Sequence, residues 1–253
     1  MKNILYEDND ILVAYKPAGI ATQTSRIGQQ DMVSELKNYL EKAQKEEMTG
    51  KNGKDAVKKQ TFEEPYLGLV HRLDQPVSGV LVFAKNKKAA ADLSNQISNG
   101  TMKKFYYALI YGTPVRERDT LEDYLYKDGR ENLSLIVNAT FPDAKKAILN
   151  YRHCSTLMVL EEGEEVSLME IELLTGRHHQ IRAQMSNAGM PLLGDSKYGS
   201  ERSKELSRDI GCKNVALCAY KLSFKHPTTH KEMVFEREPD EELFDPFLNE
   251  GIL

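Results

Sequence analysis

The chain has 253 residues, a formal net charge of −4, 40% hydrophobic residues and 28% charged residues. This length is enough for independent folding, and the composition is ordinary for a globular protein. No apolar stretch approaches the roughly 20 residues of a membrane-spanning helix, and the first residues lead into a strand pattern rather than a signal peptide. We therefore expect a cytoplasmic protein without a membrane partner.

The cysteines and the distribution of charge indicate which kinds of site the chain can form. Cys154, Cys212 and Cys218 are odd in number and form no Cys-x-x-Cys pair, which argues against a disulfide framework or a thiolate zinc site. The acidic net charge does not indicate a nucleic-acid binder, but the basic residues cluster at positions 85–88 and 103–104 and again at 177–197. Each cluster alone is typical of a solvated face.

The first third of the chain predicts a hairpin, a helix and an insertion. Residues 4–6 and 11–15 are apolar runs separated by a polar turn, and Asp31 is a potential N-cap for a helix with apolar positions 33, 36, 39 and 40 on one face. Residues 43–62 are polar and lysine-rich without apolar periodicity. We expect a mobile surface insertion there.

The rest of the chain predicts short strands mixed with a few helices. Asn86 is a potential N-cap for a helix that Gly100 ends, and Thr175 is a potential N-cap for a helix over residues 177–187 that Gly189 closes. Residues 112–133 have weak periodicity and predict turns and loops. The predicted strands are residues 79–85, 105–111, 146–152, 155–160, 166–174, 215–224 and 233–235, before a short terminal helix at 243–248. This pattern indicates one α+β catalytic domain over residues 1–253 with a mainly antiparallel sheet.

Asp74 is the most informative single residue. It lies two residues before Pro76, in a polar bend that opens into the apolar run after Gly79. The proline and the glycine restrict the path of this bend, so the carboxylate is held at the edge of a strand. An ionised carboxylate in a partly enclosed place needs a cationic or hydrogen-bonding partner. We expect another part of the chain to supply it.

Four stretches, in order, resemble the motifs of the RluA-type pseudouridine synthases. The stretch from His71 to Lys85, which begins His-Arg-Leu-Asp, is similar to the signature motif that carries the catalytic aspartate of that family. The other three are residues 4–19 with a Lys-Pro-x-Gly turn, residues 103–108 with Lys-Lys-Phe-Tyr-Tyr-Ala, and residues 175–182 followed by 189–199. The resemblance implies the pseudouridine synthase fold, a mixed sheet in two halves with a central active-site cleft.

The same resemblance implies three catalytic residues and no cofactor. Asp74 matches the carboxylate that adds to the sugar or abstracts one of its protons, and the sequence leaves both routes open. Arg182 matches the arginine that would grip this carboxylate in two places, the alternative being a surface arginine. Tyr106 matches the tyrosine that stacks on the target uracil, whereas Tyr107 points to the opposite face of a strand.

Five further residues are candidates for substrate binding. Arg72 resembles the arginine that holds the flipped nucleotide or its vacated position, the alternative being a structural salt bridge. Arg177, His179 and Gln180 are candidates for phosphate contacts or for support of Arg182. Lys16 is a candidate for an RNA contact or for support of the catalytic loop, the alternative being an exposed turn lysine.

Three residues depart from the family pattern: Val77 replaces a common threonine, His178 a threonine or serine, and Gln184 a histidine. None of them is a predicted catalytic residue, so activity is expected with altered RNA contacts. Members of the family often carry an S4-type RNA-binding domain before the first motif. Because the chain begins at that motif, we expect this domain to be absent.

The expected function is isomerisation of specific uridines in structured ribosomal or transfer RNA by a monomer. The alternative is a non-catalytic RNA-binding or ribosome-assembly protein on the same fold. A metal hydrolase is disfavoured because the close histidine pairs, 178 with 179 and 226 with 230, lack the spacing of a helical metal site. No Walker or Rossmann glycine pattern is present either. We expect neither a metal nor a cofactor.

Overall fold

The computed structural model describes residues 3–24, 28–52, 64–159 and 163–249. In this part of the chain, none of the helices combines the length and the apolar content needed to cross a membrane. The elements are β1 (Ile4–Glu7), β2 (Ile11–Lys16), α1 (Met32–Asn52), β3 (Gly68–Leu69), β4 (Ser78–Ala84), α2 (Lys87–Ser98), β5 (Lys103–Tyr111), β6 (Arg118–Asp128), β7 (Leu133–Val137), β8 (Lys145–Val159), β9 (Glu164–Leu173), α3 (Gln180–Asn187), α4 (Glu201–Asp209), β10 (Leu217–Lys225), β11 (Glu232–Glu236) and α5 (Asp245–Asn249).

The strands of the described residues form one eleven-stranded sheet. Its order is β1-β2-β4-β10-β5-β9-β8-β6-β7, with β3 added to β4 and β11 added to β10. Among these strands only β4 and β10 pair in parallel, and they do so through two residue pairs, Ser78 with Cys218 and Gly79 with Ala219. This short contact joins the two halves of the sheet. The predicted α+β class with a mainly antiparallel sheet is confirmed.

Gly79 permits the close approach of the two halves. Its φ of +133° lies in a region that L-residues rarely adopt, and a Cβ atom built there would lie 2.5 Å from backbone atoms of Ala219. A side chain at position 79 would therefore push β4 away from β10. Because Gly79 lies in β4, five residues after Asp74, the same contact fixes where the Asp74 loop joins β4.

Two predicted helix caps are confirmed. The Asp31 side chain accepts a hydrogen bond from the Ser34 N–H group at 2.8 Å, and the Asn86 side chain accepts one from the Ala89 N–H group at 2.8 Å. Helix α1, however, continues to Asn52. Residues 43–52 of the predicted insertion are therefore helical, because Glu, Lys, Gln and Ala favour helix even without an apolar stripe. Residues 53–62 of the predicted insertion lie outside the described residues.

Two more elements differ from the prediction. Residues 112–133 contain the eleven-residue strand β6 rather than only turns and loops. Only Leu125 of this strand is buried, and the sequence of the strand does not alternate between apolar and polar residues. Its pairing with β7 and β8 therefore decides its conformation. Helix α4 was not predicted because small polar residues, Ser203 and Ser207, share its buried face with Leu206.

Candidate active site

Asp74 lies in the loop between β3 and β4, and the segment that follows β2 holds this loop in place. The Thr22 hydroxyl donates to the Leu73 carbonyl at 2.8 Å and accepts from the Leu73 N–H group at 3.2 Å. The Gly19 N–H group donates to the Gln75 carbonyl at 2.9 Å. The backbone is therefore fixed on both sides of Asp74.

Lys16 supports the same loop from beneath. Its amine is fully buried and donates to the carbonyl oxygens of Pro17 at 3.0 Å, Ile20 at 2.7 Å and Gln75 at 3.1 Å. Burial lowers the pKa of Lys16 to about 8, although the nearby Asp74 charge opposes this effect. The alternative of an exposed turn lysine is wrong. A direct RNA contact is also wrong, because all three amine donors are directed at the backbone.

His71 fixes the other end of the loop. Its Nε2 atom accepts a hydrogen bond from the Val82 N–H group in β4 at 3.1 Å. Burial lowers the pKa of His71 to about 3, and the positive charge of Lys104 contributes in the same direction. A neutral imidazole is required for this acceptor role.

Arg182 binds Asp195 much more closely than it binds Asp74. Its Nε and Nη2 atoms donate to the two carboxylate oxygens of Asp195 at 2.7 Å each, and Nη1 lies 3.4 Å from Asp74 Oδ2. The arginine and Asp195 are both buried, so the alternative of a surface arginine is wrong. Burial lowers the pKa of Arg182, but the hydrogen bonds that it donates to Asp195, together with the negative charges of Asp195 and Asp74, raise it above its ordinary value. The expected two-point grip on Asp74 is wrong, since Asp195 takes both positions.

Helix α3 begins at Gln180, three residues after the predicted start. Thr175 is not its N-cap, because the Thr175 hydroxyl donates to Gln180 Oε1 at 2.8 Å and accepts from the Ile148 N–H group at 2.8 Å. Gln180 Oε1 also accepts from the Arg177 N–H group at 3.0 Å. Gln180 is buried and its amide is occupied, so a phosphate contact is excluded and support of the helix start remains.

A cavity of about 520 Å³ opens above Asp74. Tyr106 lines it from β5, and no described residue forms a hydrogen bond with its hydroxyl group. Burial raises the pKa of Tyr106, and the Asp74 charge raises it further. Lys104, two residues earlier on the same face of β5, also lines the cavity, and burial lowers its pKa. Lys104 belongs to the motif at residues 103–108, but it was not predicted as a site residue.

Arg72 and Arg177 are exposed at the cavity wall. Among the described residues, no carboxylate lies within ion-pair distance of either guanidinium group. The side chain of Arg177 forms one hydrogen bond with the described residues, from Nε to the Lys146 carbonyl at 2.9 Å. The alternative that Arg72 forms a structural salt bridge is therefore wrong for the described residues. The guanidinium groups of Arg72 and Arg177 are both accessible for binding an anion.

His179 connects Asp74 with Tyr198. Its Nε2 atom lies 3.6 Å from Asp74 Oδ2, and its Nδ1 atom lies 2.9 Å from the Tyr198 hydroxyl oxygen. The ring is 8% exposed and stacks on His178 with centroids 3.7 Å apart. Burial lowers the pKa of His179 to about 4, against the opposing effect of the Asp74 charge. A phosphate contact is disfavoured for this neutral, enclosed ring.

Asp8, Asp10 and His226 are grouped closely enough to hold a metal ion. Their atoms are occupied by protein hydrogen bonds, however. His226 Nε2 lies 2.8 Å from Asp8 Oδ2, and His226 Nδ1 accepts from the Thr228 and Thr229 N–H groups. The group therefore ties the β1–β2 turn to the β10–β11 turn.

A sequence profile described as RNA pseudouridylate synthase matches residues 10–187, which include Asp74, Tyr106 and Arg182. This chain belongs to the RNA pseudouridylate synthase family. Members of this family are isomerases of RNA. The resemblance of the four motifs to RluA-type enzymes is confirmed.

Individual relatives of the family support the same assignment. The uncharacterised RNA pseudouridine synthase YlyB of Bacillus subtilis is 33% identical over 241 residues, which cover 95% of this chain and 70% of YlyB. Ribosomal large subunit pseudouridine synthase D of Neisseria meningitidis is 32% identical over 248 residues, which cover 96% of this chain and 59% of that protein.

A solved structure confirms the synthase fold. Human RNA pseudouridylate synthase domain containing 1 superposes with a TM-score of 0.69 at 23% sequence identity, over 93% of this chain and 82% of the human chain.

Asp195 and Tyr198, like Lys104, are residues of the site that sequence reasoning missed. Both lie in the quoted stretch 189–199, but nothing in the spacing places Asp195 beneath Arg182.

Proposed function

We propose that this chain converts uridine to pseudouridine in structured RNA, with Asp74 acting on the ribose as a nucleophile or as a base. The observation that carries the proposal is that Asp74 is the sole carboxylate among the described residues that line the 520 Å³ cavity. It lies beside the buried Arg182 guanidinium and shares the cavity with Tyr106.

Isomerisation breaks the N1–C1′ bond, turns the uracil and joins its C5 atom to C1′, so that the C5 hydrogen leaves as a proton. Asp74 would either bond to the sugar or remove a sugar proton, and both routes need an ionised carboxylate. The Arg182 guanidinium places a positive charge 3.4 Å from this carboxylate. Tyr106 keeps its proton because its pKa is raised, so it can stack on the uracil and offer a hydroxyl donor.

The target nucleotide must leave its stack to enter this cavity, at a cost of a few kcal/mol. Arg72 is exposed, unpaired among the described residues and located two residues from Asp74. We propose that its planar guanidinium group occupies the vacated position or contacts the flipped nucleotide.

A second cavity of about 410 Å³ continues the first and gives a path for the RNA backbone. The two cavities share Lys127, Gly176, Arg177 and His178, and the second adds Lys145 and Asp143. Six basic residues line the two cavities against two acidic ones, Asp74 and Asp143. This local excess of positive charge contrasts with the net charge of −4 and favours phosphate groups. The basic members are Arg72, Lys104, Lys127, Lys145, Arg177 and Arg182.

Ribosomal or transfer RNA is the proposed substrate class, and the ribosomal enzyme D of Neisseria meningitidis supports the ribosomal option. We expect the protein to act in the cytoplasm as a monomer, without a metal or cofactor.

Pseudouridine mapping of total RNA tests the function. Cells with the gene, cells without it and deleted cells that express Asp74→Ala are compared, and Asp209→Ala serves as a control because it removes an exposed carboxylate from α4. We expect one or a few sites to disappear in the deletion and in Asp74→Ala cells, and to persist with Asp209→Ala. If no site changes while the protein still crosslinks to RNA, the binding-factor alternative replaces the enzyme.

A further inference from the structure

A continuous set of contacts runs from the β6–β7 hairpin to Asp74. The Ser134 N–H group donates to the Tyr198 hydroxyl oxygen at 2.6 Å. That hydroxyl lies 2.9 Å from His179 Nδ1, and His179 Nε2 lies 3.6 Å from Asp74 Oδ2. Ser134 thus fixes the Tyr198 hydroxyl group, Tyr198 fixes the His179 ring, and His179 lies beside Asp74.

The contacts decide which nitrogen of His179 carries the proton. The Tyr198 oxygen already accepts from Ser134, so its own proton can be donated to Nδ1. A lone pair on Nε2 would face the negative charge of Asp74, whereas an Nε2–H group is attracted to it. The imidazole is neutral at neutral pH, since its pKa is about 4. His179 therefore holds its single proton on Nε2, directed at Asp74.

The backbone and the neighbouring rings hold His179 in this position. Its φ of 50° is left-handed, a conformation that is uncommon for residues other than glycine, although His, like Asn and Asp, adopts it more often than most. The His178 ring stacks on it, and Ser134 Oγ fixes His178 by donating to its carbonyl oxygen at 2.6 Å. Such local strain persists where the surroundings determine the geometry.

Asp195 links this set of contacts to Arg182. One of its oxygens, Oδ1, accepts both the Arg182 Nη2–H and the Tyr198 N–H groups, the latter at 3.1 Å. The Arg182 guanidinium lies 5.1 Å from the centre of the Tyr198 ring. Asp195 therefore contacts Arg182 directly and His179 through Tyr198, and Arg182 and His179 approach the same oxygen of Asp74.

We propose that His179, oriented by Tyr198, is a positioning residue that fixes the Asp74 carboxylate through an Nε2–H donor. This inference rests on the proposed isomerase function. Tyr198 does not line the cavity, and its hydroxyl group reaches Asp74 through His179. The 3.6 Å separation is longer than a hydrogen bond, and catalytic contacts that are long without substrate tighten when substrate is bound.

The first test is the ¹⁵N NMR spectrum of the histidine rings in the full, substrate-free chain. We expect His179 to show a protonated Nε2 and an unprotonated Nδ1 in the wild-type protein, and to lose this preference in Tyr198→Phe. The phenylalanine variant keeps the ring beside Arg182 and removes only the hydroxyl oxygen. A proton on Nδ1 in the wild-type protein would overturn the proposal.

The second test is a double-mutant cycle on isomerisation kinetics. Because a displaced carboxylate slows the chemical step, Tyr198→Phe and His179→Asn should each lower kcat about 10- to 100-fold with KM changed less than about twofold. Asparagine is chosen because it tolerates φ near 50°. The kcat of the double variant should be no lower than that of the slower single variant, because both changes remove the same contact. Tyr111→Phe, which removes a hydroxyl bonded to Glu164, is the control.

The outcomes separate this inference from the proposed function. A wild-type kcat in Tyr198→Phe or in His179→Asn would overturn the proposal that Tyr198 and His179 position Asp74. A double variant whose loss of kcat is the product of the two single losses would also overturn it. Neither result contradicts the proposed isomerisation. If the wild-type protein forms no pseudouridine, the function fails. The NMR result then decides alone whether Tyr198 orients His179 toward Asp74.

Discussion

Arg182 gives two hydrogen bonds of 2.7 Å to Asp195 and only one longer contact, at 3.4 Å, to Asp74. The buried partner fixes the plane of the guanidinium group, and the remaining nitrogen reaches the cavity. Asp74 therefore gains a nearby positive charge without having both of its oxygens occupied. The contacts from Arg182 and His179 both go to Oδ2, so Oδ1 is available for the ribose chemistry that we propose.

Asp195→Ala should be strongly destabilising because it leaves the buried Arg182 guanidinium with only its 3.4 Å contact to Asp74. We expect a loss of about 3–5 kcal/mol in the free energy of unfolding, measured by urea denaturation. Glu122→Ala is the control, since it breaks an exposed ion pair with Lys146 at 2.7 Å and should cost less than about 1 kcal/mol. Equal effects in the two variants would contradict the structural role of Asp195.

Gly79→Ala should destabilise the junction between β4 and β10. The new Cβ atom would meet backbone atoms of Ala219 at 2.5 Å, and φ would remain near +133°. We expect a loss of about 2–4 kcal/mol from overpacking and backbone strain together. Gly129→Ala has open space around its Cβ position and should change stability by less than about 1 kcal/mol. A stable Gly79→Ala protein would show that the halves can separate freely.

Lys145→Gln should weaken RNA binding by removing one phosphate contact from the second cavity. Binding of a fluorescent single-stranded oligouridylate is measured over a range of salt concentrations. The slope of the logarithm of affinity against the logarithm of salt should fall by about 0.7. Lys231→Gln is the matched control, because that exposed lysine lines neither cavity. An unchanged slope for Lys145→Gln would place the RNA backbone elsewhere.

Acidification should destabilise the protein through His179. Its folded-state pKa of about 4 lies below the ordinary value of 6.5. As the pH falls below 6.5, the unfolded chain therefore binds a proton that the folded chain does not bind. Stability is fully present above pH 6.5 and is lost toward pH 4, by up to about 1.4 kcal/mol per pH unit.

His179→Asn should remove this contribution, which is read from urea unfolding between pH 6.5 and pH 5. The control is His230→Asn, because His230 is exposed and has a similar φ of 57°. We expect the control to retain the wild-type pH dependence. An identical pH dependence in His179→Asn would show that the ring is accessible to protons in the folded state.

The sequence predicted the strands whose apolar residues are continuous or alternate, such as β4 and β5, and the helices with a capping side chain, such as α2. Motif order also brought Asp74, Tyr106 and Arg182 to one cavity. These features depend on local pattern or on a resemblance that spans the chain.

The remaining features depend on distant partners. Asp195 and Arg182 are thirteen residues apart on different elements, and no periodicity reveals that the aspartate takes the two hydrogen bonds expected for Asp74. Strand β6 forms because β7 and β8 pair with it, not because its own residues alternate. Lys16 lies in a polar turn motif, yet three carbonyl groups satisfy its buried amine.

Release of tritium from RNA is the most direct test of the central claim that Asp74 isomerises uridine. RNA from cells without the gene, labelled with uridine tritiated at C5, is incubated with the wild-type protein or with Asp74→Asn. Because forming the C5–C1′ bond displaces the C5 hydrogen, we expect the wild-type protein to release tritium to water. Asp74→Asn should bind the RNA and release none. Release by Asp74→Asn at the wild-type rate would contradict the role of this carboxylate.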